Sequence, residues 1–411
     1  MTRRNPKPSA KSAPGQESIE IVSGKLGPLG PQKIEIYPLT VFIGKQGTGK
    51  SLIAQMLFLF RALGDLVKLE VGRRIASSRK RIVEGDTTEL VAKVIDGLRS
   101  GRRRFANLTQ PNATIAWRGR HALTGEMESL RFNAQFATRA IAPTRSLLSL
   151  AKLAAESRAA LPFGAMFVPT ERLLFSMLPA AELYRALSLP LIFESFASEL
   201  DRLWDAAADA SPDVLETPRL ATARDRLKAA LGGEIHRTAS NWRWKFNVGG
   251  DARALDLDMA SSGQRSSGYL DTIALGLLAL RARKKLGEGF TLYLEEPEIH
   301  LHPDAERLVV ELLSVLVANG IRVVLTTHSL TVLYAVNNLL LRSKLADSAA
   351  APTLSPGQTQ AYLCDHDGKV TPLLDRKHGF IDEQHLGGVA DTLLAEMNSI
   401  TQKLRKQGAP P

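Results

Sequence analysis

One stretch constrains this chain more than any other. Gly44-Lys45-Gln46-Gly47-Thr48-Gly49-Lys50-Ser51 matches G-x-x-x-x-G-K-[ST] in full. It follows the apolar run LTVFIG and precedes SLIAQMLFLFRAL, which reads as a helix. Strand, glycine loop and helix in that order form a phosphate-binding turn. The glycines let backbone N–H groups face inward around phosphate oxygens, while the helix presents its positive end. In this pattern Lys50 reaches the outer phosphates and the Ser51 hydroxyl ligates Mg²⁺. Leu52, at the start of the helix, completes the expected phosphate-binding segment.

Three further segments carry candidate chemistry. Thr291 to Leu294 is an apolar strand ending in Glu295-Glu296-Pro297-Glu298. A carboxylate at a strand's C-terminal end, beside a phosphate loop, is where Mg²⁺ has to be held. Glu295 fits that role through an intervening water, and Glu296 fits the role of orienting or deprotonating a water. His328 ends the next strand, IRVVLTTHS, at the same sheet edge. Taken alone it fits a γ-phosphate contact and a buried structural histidine equally well. Ser261-Ser262-Gly263-Gln264 lies between a strand and a helix. It reads either as a plain helix N-cap or as a second phosphate-binding arrangement of backbone N–H groups and a hydroxyl.

Around these motifs the chain divides by pattern. Residues 1–16 form a basic, Pro- and Ser-rich tail with no apolar core behind its cations, unlike a secretory signal. Residues 17–60 hold short strands and the phosphate loop. Residues 61–231 read as a mainly helical inserted lobe, with a hairpin over Asn112–Trp117 and Ser129–Phe136 and one short strand at Ala165–Val168. Residues 232–400 return to strands alternating with helices, and residues 401–411 form a flexible tail. The alternation after Gly232 predicts a mostly parallel sheet with right-handed crossovers.

Composition narrows the setting. The 411 residues are 44% hydrophobic, which excludes a wholly disordered chain. Lys plus Arg number 53 against 42 acidic residues, a formal charge of +11 that favours a polyanionic partner. The single cysteine, Cys364, makes no internal disulfide. The apolar stretches are too short or too interrupted to span a membrane, so no membrane partner is expected. A cytoplasmic location is the simplest reading.

Taken together, GKQGTGKS, ASSGQ, LYLEEPEIHLHP and LTTHS resemble the heads of ABC-type ATPases. The likeness is to the AAA family ATPases of the bacterial branch containing the overcoming-lysogenisation-defect and SMC/RecF-like proteins. EEPE followed by LHP, then a strand ending in THS, is characteristic of that branch rather than of transporters. FVPTERLLF resembles a proline- and arginine-containing segment of its helical portion. The resemblance implies an α/β fold, an ABC-type head with a mostly parallel sheet, an antiparallel β lobe and a large helical insertion. It also implies Mg²⁺-dependent ATP hydrolysis in a homodimer that sandwiches ATP. One subunit supplies the phosphate loop, Glu295 and Glu296, and the other supplies Ser261 and Gly263, with Ser262 and Gln264 beside them, to the γ-phosphate. His328 then reports on the γ-phosphate. The chain departs from the pattern at Glu295, where aspartate is common, at Gln46, where asparagine is usual, and in ASSGQ for LSGGQ. For the metal-sensing glutamine, Gln110 and Gln135 both remain open.

The branch suggests DNA-linked work such as genome maintenance or phage defence; a nucleotide-gated scaffold for a separately encoded effector protein is the alternative. Lys68–Arg104 carries eleven basic and five acidic residues, suited to a DNA backbone or to an acidic partner. NWRWKFNV alternates as a half-buried strand, with base stacking as the other reading. Cys364-Asp365-His366-Asp367-Gly368 reads as a hairpin turn rather than a metal nuclease site.

Overall fold

The computed structural model describes residues 17–62, 113–120, 127–133, 163–177, 191–215, 217–238, 242–248, 251–345 and 351–382, together with 396, 397 and 399. The first strands are β1 (Glu17–Ser23), β2 (Gln32–Ile36) and β3 (Leu39–Ile43), after which helix α1 (residues 50–62) leaves the phosphate loop. β4 (Thr114–Arg120), β5 (Met127–Asn133) and β6 (Phe163–Val168) follow, then α2 (Leu191–Ala208) and α3 (Pro218–Leu231). β7 (Glu234–Arg237), β8 (Trp242–Val248) and β9 (Asp251–Asp256) lead into α4 (Ser262–Ala282). The remainder is β10 (Leu286–Glu295), α5 (Pro303–Ala318), β11 (Arg322–Thr327), α6 (Leu330–Arg342), β12 (Thr359–Cys364) and β13 (Val370–Pro372), before two short strands.

The main sheet has the order β13-β12-β3-β11-β10-β6. β12, β3, β11, β10 and β6 run parallel, and β13 is an antiparallel edge. All five residues of β3 are buried, as a strand covered on both faces requires. The alternation of side chains decides which residue faces which layer. Val41, Leu292, Leu294, Val323, Leu325 and Val168 enter one core with α2 to α6. Phe42, Tyr293, Val324, Phe167 and Tyr362 enter the other with α1 and the antiparallel sheet. That second sheet has the order β2-β1-β4-β5, and a third, β7-β8-β9, carries the expected alternation, with Trp242 and Trp244 buried.

Within segment 61–231, read from sequence as a mainly helical insertion, two of the three described strands pair with strands of the flanking segments, and the third, β5, pairs with β4. β4 lies against β1, and β6 lies against β10. The reason is physical: β1 and β10 would otherwise expose unpaired backbone edges beside apolar faces. The hairpin expected over 112–136 forms as β4 and β5. Asp365 and Gly368 close the turn between β12 and β13, with the Gly368 amide donating to the Asp365 carbonyl at 3.1 Å. The basic stretch Lys68–Arg104, Gln110 and Gln135 lie outside the described residues. Among the described residues no helix is long and apolar enough to cross a membrane.

Candidate functional site

The carboxyl ends of the parallel strands converge on the phosphate loop. Ligands bind at this edge in open α/β sheets, and β3 sits where chain order reverses between β11 and β12. Gly44, Gly47 and Gly49 all hold positive φ, of 149°, 75° and 92°. Gly44 also has a packing reason: a Cβ there would lie 2.2 Å from the Cys364 carbonyl oxygen on β12. Lys45, Gln46 and Gly47 are exposed at the tip, and Thr48 is buried. The Thr48 hydroxyl donates to the Lys45 carbonyl at 2.8 Å. Leu52 is half-buried and packs against the core around α1.

Lys50 is folded back onto its own loop. Its ammonium donates to the carbonyls of Gly44 at 2.8 Å and Lys45 at 2.7 Å. Burial lowers its pKa, with the fields of Glu296 and Glu298 opposing. Burial likewise pushes the Cys364 thiol up to about 12, so it stays a neutral packing group beside Lys50.

Ser51 and Glu295, expected to share a metal, lie close enough for the Ser51 side chain to act on the carboxyl and oppose the rise of its pKa. The Gln55 amide donates to Glu295 Oε1 at 3.0 Å, and the Thr170 N–H reaches Oε2 at 3.4 Å. Burial raises the Glu295 pKa, and the bonds from Gln55, Ser51 and Thr170 oppose that rise. A hydroxyl beside a buried carboxylate is a hard-oxygen donor set suited to Mg²⁺, which takes few protein ligands and keeps waters and phosphate oxygens. Among the described residues no group of three His, Cys, Asp or Glu converges as an all-protein metal cage.

Glu296 and His328 also meet. Glu296 Oε1 lies 3.3 Å from His328 Nε2, and both side chains are partly open to solvent. Glu296 sits at φ 42°, a left-handed conformation costly for a residue with a side chain. Its N–H donates to the Thr326 carbonyl at 2.9 Å, which ties the turn to β11. Glu298 fastens the end of β11 by accepting from the His328 N–H at 2.8 Å and from the Thr327 hydroxyl at 2.5 Å.

Ser261 caps α4. Its hydroxyl accepts from the Gln264 N–H at 3.3 Å, and its own N–H donates to Gln264 Oε1 at 3.0 Å, a complete capping box. Gln264 also donates to the Leu231 carbonyl at 2.9 Å. Gly263 is buried against the turn after Glu296, where a Cβ would come within 2.6 Å of the His300 carbonyl oxygen.

Two polar residues at this edge are placed by the structure alone. Gln55 lies four residues after Ser51, so helical periodicity puts both on one face of α1. Arg172 is 1% exposed and donates to carbonyls of its own turn after β6, of α4 and of the end of β10. Its signal was FVPTERLLF, which carries no indication of those partners.

Comparison with known proteins adds the following. Residues 177–333, short of half the chain, match the family model described as "AAA domain, putative AbiEii toxin, Type IV TA system". No curated protein matches the sequence. Similar solved structures include an SMC head bound to the C-winged helix domain of ScpA, at 13% identity and TM-score 0.42, covering 89% of this chain and 100% of that one. The SMC head domain from Thermotoga maritima matches at 14% and 0.35, covering 86% and 97%. An SMC head with an extended coiled coil, bound to the C-terminal domain of ScpA from Pyrococcus furiosus, matches at 13% and 0.37, covering 94% and 100%. At such identities and scores the fold is read from the strands themselves. With its phosphate loop after β3, its acidic pair closing β10 and residues 177–333 matching that family model, the chain has an α/β fold with a phosphate-binding loop and is similar over that segment to AAA domains.

Proposed function

We propose that this head hydrolyses ATP with Mg²⁺ and that two heads close around the nucleotide. The observation that supports it most is the meeting of two pairs at one sheet edge: Ser51 with Glu295, and Glu296 with His328. The loop Gly44–Ser51, with Leu52, would wrap the phosphates, and Lys50 would exchange its two carbonyl partners for phosphate oxygens. Ser51 and Glu295 would hold Mg²⁺, whose chemistry is to neutralise charge on the β- and γ-phosphates. Glu296 would accept the proton of the attacking water as the bond from γ-phosphorus to the bridging oxygen breaks and ADP leaves. His328 would hold the Glu296 carboxylate in line with that water.

Ser261 and Gly263, flanked by Ser262 and Gln264, would serve the nucleotide of the second head. ATP then stabilises the closed dimer because these contacts exist only in it. For the process served, the basic Lys68–Arg104 stretch supports DNA-linked work such as genome maintenance or phage defence. The description of the matched family, a toxin of a Type IV TA system, favours a second reading. In it the ATP cycle holds or releases a separately encoded protein.

The test is light scattering with Mg-ATP. Glu296→Gln, which should bind ATP but turn it over far more slowly, is expected to accumulate as a dimer, while Lys50→Ala stays monomeric. A Glu296→Gln protein that remains a monomer with its phosphate loop saturated sinks the sandwich.

A further inference from the structure

Arg172 follows β6, and its guanidinium is sealed from solvent. Its N–H groups go to main-chain carbonyls. Nε donates to Ser266 at 2.6 Å, Nη1 to Pro169 at 3.1 Å and Glu295 at 2.9 Å, and Nη2 to Glu296 at 2.9 Å. One planar fork therefore joins the end of β6, the first turns of α4 and the acidic end of β10. Burial lowers its pKa to about 10 against the fields of Glu298, Glu296 and Glu295, so it stays charged at neutral pH.

The segments it joins are under constraint. Glu296 and His300 both adopt left-handed backbone, with φ of 42° and 62°. Such residues persist only where their surroundings over-determine them. Two further contacts bind the same pieces. The Ser266 hydroxyl donates to the Ile299 carbonyl at 3.0 Å, and Gly263 packs on the His300 carbonyl with no room for a methyl. None of the four acceptors of Arg172 belongs to the phosphate loop.

We propose that Arg172 is a positioning residue that fastens the Ser261–Ser266 turn of α4 to the carboxylate turn after β10, so that the two move as one body. The consequence rests on the ATP-sandwich reading above. The α4 turn serves the nucleotide of the opposite head while Glu295 and Glu296 serve their own. Arg172 thus sets the geometry of one ATP site against that of the other.

The test compares wild type, Arg172→Lys and Arg172→Gln. Lysine keeps the charge but presents its donors from one point, so it cannot span three segments as the fork does. Binding of mant-ATP is expected to change little in either variant. Turnover is expected to fall about 100-fold in Arg172→Gln, the scale of a misplacement near 1 Å, with Arg172→Lys in between. Hydrogen exchange without nucleotide is expected to show amides of 261–267 and 296–301 losing protection together, while those of 50–62 keep theirs. Full turnover in either variant, protection lost in one turn alone, or mant-ATP affinity falling as far as turnover would each overturn the proposal. A wild-type protein without ATPase activity would instead remove the ATPase reading, and the exchange experiment would still decide the role of Arg172. If Arg172→Gln fails to fold, Arg172→Lys carries the same measurements.

Discussion

Acid should unfold this protein through one carboxylate. Glu17 opens β1 at 1% exposure and is held by three donors from elsewhere in the chain. Arg61 Nη2 and Arg322 Nη1 reach Glu17 Oε2 at 2.6 and 2.7 Å, and the Trp117 indole N–H donates to Oε1 at 2.9 Å. Burial pushes the Glu17 carboxyl up, but the Arg322 and Arg61 charges and the hydrogen bonds overcome it, leaving the group at about 2 against an ordinary 4.5. At 1.36 kcal/mol per pKa unit, the ionised group contributes about 3 kcal/mol. A depressed carboxyl contributes fully above its unfolded value, so this stability is present above pH 4.5 and is lost as pH falls toward 2. Glu17→Gln leaves two buried guanidiniums without a counter-charge and is expected to cost about 3–5 kcal/mol at neutral pH. Urea unfolding of both proteins between neutral pH and about pH 3 should show the wild type losing its advantage over Glu17→Gln across the acid window. Parallel pH profiles, or a neutral-pH difference below about 1 kcal/mol, would refute the reasoning. The functional link is direct: Arg61 lies near the end of α1 and Arg322 opens β11, so this network seats the phosphate-loop helix against the sheet.

Two further predictions concern the site. Gly263→Ala places a methyl 2.6 Å from the His300 carbonyl oxygen, so the α4 turn and the turn after β10 must separate. Turnover should fall at least about 10-fold while mant-ATP binding to the phosphate loop holds; unchanged turnover would mean that glycine is dispensable there. The raised Glu295 pKa makes protons compete with Mg²⁺ sooner than at an ordinary carboxylate, so half-saturating Mg²⁺ should rise as pH is lowered from neutral toward the ordinary value of 4.5. Glu295→Gln should need more Mg²⁺ at every pH and lose that dependence, and a wild-type Mg²⁺ requirement flat across the range would contradict the assignment.

Much of the fold was legible in the sequence because its central strands are continuous apolar runs that end in chemistry. LTVFI ends in glycine, LYLEE in carboxylates and VVLTTH in histidine, and each end falls at one sheet edge. The antiparallel sheet was less legible. β1 finds β4 across nearly a hundred residues, with Ile19 opposite Trp117, and the alternation of β1 would suit any apolar partner. Arg172 was the least legible of all. Three of its four partners lie 94 to 124 residues away, and all four are backbone carbonyls, which leave no mark in residue identity. Gln55 was readable in principle, since it sits one helical turn beyond Ser51. The glutamine that the resemblance implies was sought at Gln110 or Gln135, whereas Gln55 lies on α1.

The account turns on whether Glu296 works on a phosphate that Lys50 holds. The direct measurement is phosphate release from Mg-ATP by wild type, Lys50→Ala and Glu296→Gln, with mant-ATP binding followed in parallel. The account predicts turnover by the wild type and none by Lys50→Ala, which should also bind poorly. Glu296→Gln should bind as the wild type does and turn over about 100-fold more slowly. Glu296→Gln releasing phosphate at the wild-type rate would contradict it.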